Sequence, residues 1–129
     1  MAYFRDSATG LTSAMFGSQA RLGYIGTITG SYNLFLNMES VLKVTNITDG
    51  TIDVLIGIRS SGSVGSDLVL TLPPFGSSYN SLSGELYGTA ADTYGSISLE
   101  TTGGIVSEVL RRKQGAGSEF QFVAVTGFN

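Results

Sequence analysis

The chain has neither cysteine nor histidine in its 129 residues. Without thiols there is no disulfide framework and no thiolate metal site. Without imidazole, the usual general base near neutral pH is missing, as is the commonest nitrogen ligand for zinc, copper or iron. Tryptophan is also absent, proline occurs twice, and charged residues make up only 13% of the chain. The net charge of −3 argues against general nucleic-acid binding, which needs clustered cations to displace phosphate counterions. No apolar run approaches the ~20 residues of a membrane helix. The opening Met1 to Asp6 lacks the apolar core of a signal peptide. The expectation is a soluble product, or the mature part of a secreted one.

What is present is glycine, 18 residues of it, with many serines and threonines, so the surface is largely neutral and polar. A chain of this length forms one domain and buries about two thirds of the surface its unfolded form exposes. Its organising stretch is Val41 to Leu72. Ile52, Val54, Ile56 and Ile58 fall on every second residue, the period that places side chains on one face of a strand. Burying those four stabilises the fold by roughly 6 to 12 kcal/mol before the entropy of ordering the strand is subtracted. Asp49-Gly50 is a favoured hairpin pair, so Val41 to Asn46 and Thr51 to Ser60 read as neighbouring antiparallel strands.

Elsewhere the same period recurs. Arg21 to Ile28 alternates weakly, and Thr29-Gly30-Ser31 reads as the turn that ends it. Ser60 to Ser66 is a loop by composition. Leu68, Leu70 and Leu72 share one side of a strand that Pro73-Pro74 stops. Residues 85–93 read mainly as loop. Tyr94 to Thr102 places Ile97 and Leu99 inward and ends at Gly103-Gly104, which reads as another hairpin into Ile105 to Lys113. Gly115-Ala116-Gly117 then turns the chain into Glu119 to Val125, where Phe120, Phe122 and Ala124 share a side. No window holds a 3.6-residue period. Short strands at turn-separated intervals give an all-β fold, an antiparallel β-sandwich of 7–9 strands, immunoglobulin-like or jelly-roll-like. Residues 1–20, with the cluster Ala14-Met15-Phe16, read as an arm free to move or to be exchanged, and residues 21–129 as the domain.

Candidate chemistry is sparse. A nucleophilic serine would have only Lys43, Lys113 or a carboxylate as its base, and no Gly-x-Ser-x-Gly elbow occurs. Paired carboxylates for glycoside hydrolysis could come from Asp49 with Asp53, or from Glu100 with Glu108 across the Gly103-Gly104 turn. Asp53 sits opposite the apolar stripe and reads as solvated. Gly115 to Gly117 lacks the strand-to-helix context and the Lys-Ser/Thr of a phosphate loop. Arg111, Arg112 and Lys113 form the one basic run, a candidate anion patch or a guard on a sheet edge. Tyr79, Tyr87 and Tyr94 lie in one turn-rich region and are the candidate ligand platform, since exposed aromatic rings stack on sugars and anchor interfaces. Asn46-Ile47-Thr48 is a glycosylation sequon, meaningful in a secreted eukaryotic protein.

Val44-Thr45-Asn46-Ile47-Thr48-Asp49-Gly50, Ile56 to Gly62, and Leu70-Thr71-Leu72-Pro73-Pro74-Phe75-Gly76-Ser77 follow one another in an order that resembles immunoglobulin-like modules of bacterial surface and adhesive proteins. The resemblance covers Val41 to Leu82 and implies a structural or adhesive module, without assigning a catalytic or binding residue. It lacks the mid-core tryptophan of those modules and a counterpart to residues 1–20.

The expected function is a non-enzymatic structural or adhesion module in an extracellular or surface assembly, acting by association with copies of itself or with another surface protein. No cofactor, metal, nucleic acid or membrane insertion is expected. Two alternatives stand beside it: a carbohydrate-binding module using the surface tyrosines, and a virion or phage tail structural protein.

Overall fold

The computed structural model describes residues 2–5, 12–15, 24–61, 65–114 and 120–128. The strands are β1 (Ala2–Arg5), β2 (Thr12–Met15), β3 (Tyr24–Asn33), β4 (Met38–Asn46), β5 (Ile52–Ser60), β6 (Ser66–Leu72), β7 (Ser77–Ser81), β8 (Tyr94–Gln114) and β9 (Phe120–Gly127). A 3-10 turn, Phe35–Asn37, joins β3 to β4. β1 and β2 pair with each other, and the other seven strands form one antiparallel sheet. The all-β, antiparallel class read from the sequence is therefore present, built as a single curled sheet.

β8 is the spine. Its first half pairs with β3 on one side and β5 on the other, and its second half pairs with β9 and β4. β4 and β5 run in the same direction along the same edge of β8, one after the other. β6 and β7 follow them one strand further out. Two arms result, β3-β8-β5-β6 and β9-β8-β4-β7, hinged at one level.

The hinge is written in the register. Thr101 faces Gly26 and Val54, and Ile105 faces Tyr24 and Asn46. Between those rungs Thr102, Gly103 and Gly104 oppose the lone Ile25 on one side and residues 47–53 on the other. Extra residues on one strand of a pair bend it and raise its twist. A Cβ on Gly103 would sit 2.5 Å from Cγ2 of Ile52, and one on Gly104 would sit 3.2 Å from Cγ1 of Ile47. Glycine is what lets the folded sheet close this tightly.

Between the arms lies the core. Val54, Ile56, Ile97 and Leu99 come from the first arm and Leu42, Val44 and Val109 from the second, with Ile105 beside the hinge; none is more than 1% exposed. Ile58 and Leu72 join it, as do Ile28, Tyr32, Leu34, Ile52, Leu82, Tyr87 and Phe128, and Leu68 and Leu70 pack against it half-buried. The every-second-residue stripe of β5 is thus the inner face of one arm. At the end away from the hinge, Leu34 N–H donates to Thr93 O at 2.8 Å and Leu36 N–H to Asp92 Oδ1 at 3.3 Å. These bonds tie the two connections that cross from arm to arm.

The structure corrects four expectations. β4 and β5 do not pair with each other, because Asp49-Gly50 lies in the hinge connection rather than in a two-residue hairpin. Gly103-Gly104 is no hairpin either; β8 passes through it unbroken. Thr29-Gly30-Ser31 does not end its strand, since β3 continues to Asn33 and Gly30 instead makes room for the Phe128 ring, 2.8 Å from where a Cβ would lie. Asn46, the sequon residue, is 0% exposed and cannot carry a glycan in the folded protein. Of the N-terminal arm only β1 and β2 are described. Residues 62–64 of the Ser60 to Ser66 loop and the Gly115 to Gly117 turn lie outside the described residues, as do the side chains of Phe120, Phe122 and Ala124.

Candidate functional site: an apolar groove on the outer sheet face

Alternation turns Asp53 and Leu55 of β5 to the outer face of the first arm, opposite Val54 and Ile56. The register sets Leu55 between Val69 of β6 and Glu100 of β8. Ile25, pushed outward at the hinge, closes the row. Together with Gly26, Thr101 and Thr102 these side chains line a groove of about 770 Å³.

Its apolar members are unusually open for their type: Ile25 is 71%, Val69 61% and Leu55 42% exposed. Asp53 and Glu100 stand along its rim, and Thr71 Oγ1 donates to Asp53 Oδ1 at 2.6 Å. One rung further along β6, Arg59 donates to Asp67 at 2.7 Å, and this bond holds the Asp67 carboxyl below its usual range and the Arg59 guanidinium above its own. The groove thus offers apolar area, hydroxyls and exposed carboxylates. No group of three or more acidic, histidine or cysteine side chains that could hold a metal occurs among the described residues.

The residues singled out from the sequence do not converge. Tyr79 is 52% exposed on β7, opposite Lys43 on the outer face of the second arm. Tyr94 is 54% exposed on the outer face of the first, where its ring lies 5.7 Å from Phe35. Tyr87 is 6% exposed and packed in the core, where its hydroxyl has no hydrogen-bond partner among the described residues, and burial pushes its pKa up to about 12. A three-tyrosine platform therefore does not form.

Nor do Arg111, Arg112 and Lys113 guard an edge, because β8 is paired on both sides there, with Ser40, Glu39 and Met38 on β4 and with β9. Alternation sends Arg112 outward, where Glu39 Oε2 accepts from its Nε, while Arg111 and Lys113 lie on the opposite side of the strand. Glu100 and Glu108 occupy the outer faces of different arms, and Glu108 is paired with Lys43 at 3.7 Å. They are not an acid-base couple. The groove was missed because Ile25, Leu55 and Val69 lie far apart in sequence. Its one sequence signal was the apolar Leu55 and Val69 standing at positions where alternation calls for polar residues.

Fold and groove together define an all-β protein with a curled antiparallel sheet and an exposed apolar row on its outer face. The Thermotoga maritima 1070 crystal structure is similar to it, with a TM-score of 0.67 over 81% of this chain and 93% of that one, at 17% identity. At that identity the likeness concerns the fold alone. A scan against protein-family models gave no match, the immunoglobulin-like modules included, and neither did a search of curated proteins.

Proposed function

We propose that this protein is a non-enzymatic structural module that works by self-association in an extracellular or surface assembly. The observation that carries the reading is the exposed apolar row Ile25, Leu55 and Val69 on the outer sheet face, where solvent exposure of large aliphatic side chains costs free energy that a partner would recover. The test is the concentration dependence of mass by light scattering for the wild type and for an Ile25→Ser, Leu55→Ser variant. The wild type should associate, and the variant should do so more weakly while keeping the circular dichroism of the folded protein. Equal association by both would remove the groove from the reading.

A second reading has its own support in the exposed Phe35–Tyr94 pair, whose rings are tilted by 33°. Such a pair can stack on a sugar ring. Phe35→Ala and Tyr94→Ala should then abolish glycan-array binding shown by the wild type, and an array with no binding ends this alternative.

A further inference from the structure

We infer that the β6 edge is where a second copy of this chain docks, by antiparallel pairing of β6 with itself about a two-fold axis at Val69; the inference rests on the self-association reading above. Among the described residues β6 pairs only with β5, in unbroken register from Leu72 to Ser66. Alternate residues of an edge strand direct their N–H and C=O groups away from the sheet, a template for another strand.

The four edges of the sheet are not alike. The β3 ladder shifts register beside Gly26, opposite the extra residues of β8, and β9 carries an extra residue between the partners of Lys113 and Gln114. β7 has five residues, Ser77 to Ser81, with one large side chain. β6 has none of the usual guards: no lysine, no internal proline and no bulge. Its single charge, Asp67, is already neutralised by Arg59.

The strand is also complementary to itself. With Val69 on the axis, Leu68 lies opposite Leu70 of the second copy, Asp67 opposite Thr71, and Ser66 opposite Leu72. Beside the axis apolar thus meets apolar, the carboxylate of Asp67 faces uncharged Thr71, and no like charges face each other; only the outermost pair, Ser66 with Leu72, sets polar against apolar. On the outer face the Leu55–Val69 row of one copy runs into the Val69–Leu55 row of the other, so the open apolar stripe becomes continuous across the axis. The same patch meets itself, so the pairing closes at two chains.

The absence of cysteine from the chain makes the test direct. Val69→Cys places one thiol on each side of the axis, close enough for a disulfide when directly opposite residues pair. Mild oxidation should give a covalent dimer on a non-reducing gel, while Thr27→Cys on β3 gives none. In parallel, Val69→Lys should return the mass to that of one chain with the circular dichroism of the wild type, its melting temperature lower only by the stabilisation that dimerisation supplies and matching the wild type's at concentrations where that too is a single chain. Mixing it with Val69→Glu should restore the dimer. A wild type that associates while Val69→Lys leaves its mass unchanged and Val69→Cys fails to crosslink overturns the β6 edge but keeps self-association. A wild type that stays a single chain at all concentrations overturns both. If Val69→Lys does not fold, the crosslinking result decides alone.

Discussion

The side-chain amide of Asn46 donates to the carbonyl of Pro73 at 2.9 Å and to that of Gly50 at 2.7 Å, pinning the β6–β7 corner to the β4–β5 connection. Its oxygen accepts from Thr48 N–H and from Thr48 Oγ1 at 2.9 and 2.7 Å. Every carbonyl and amide freed where the sheet bends must find a partner, and this fully buried side chain supplies several of them. Asn46→Ala should destabilise the fold by about 2 to 4 kcal/mol in urea denaturation, since it leaves buried groups unpaired. Asn46→Asp should cost more at neutral pH, because a carboxylate would face carbonyl oxygens.

The tight approach at the hinge gives a second prediction. Gly103→Ala should destabilise by about 1 to 3 kcal/mol through overpacking against Ile52. In an Ile52→Ala background, where Cγ2 is gone, the added cost should shrink, giving a coupling of about 1 kcal/mol in a double-mutant cycle.

Adjacent residues of β5 should respond oppositely to charge. Ile56 is 0% and Leu55 42% exposed. Ile56→Asp should unfold the protein by placing an unpaired charge in the core. Leu55→Asp should leave a folded protein. Circular dichroism of the pair tests the assignment of faces, and a folded Ile56→Asp variant would reverse it.

Tyr87 supplies a pH dependence. Its hydroxyl is held up to about 12 by burial, above the ordinary value of 10.0. Because the folded value is the higher one, its contribution to stability is complete below about pH 10 and is lost as pH rises through about 12. Melting temperature followed across that window should fall more steeply for the wild type than for Tyr87→Phe.

Strand positions were legible where alternation is strict. Val54, Ile56 and Ile58, the leucines of β6, and Ile97 with Leu99 all face the side their spacing required. The connections were not legible, because Asp49-Gly50 and Gly103-Gly104 carry hairpin chemistry while serving as slack and clearance at a hinge. Local turn propensity cannot tell these uses apart; at Gly103 and Gly104 the difference lies in Ile52 of β5 and Ile47 of the β4–β5 connection packing onto the glycines. The basic run Arg111 to Lys113 was misplaced for the same reason, since a central spine of 21 residues looks like two strands when a glycine pair divides it. Tyr87 looked like its exposed neighbours because a loop residue's burial depends on which arm the loop covers.

Sedimentation equilibrium of the unmodified chain, taken over a broad range of protein concentration, bears most directly on the account. The account predicts a mass twice the 13.5 kDa of one chain, falling toward the single-chain value on dilution. A mass of 13.5 kDa at every concentration would contradict it.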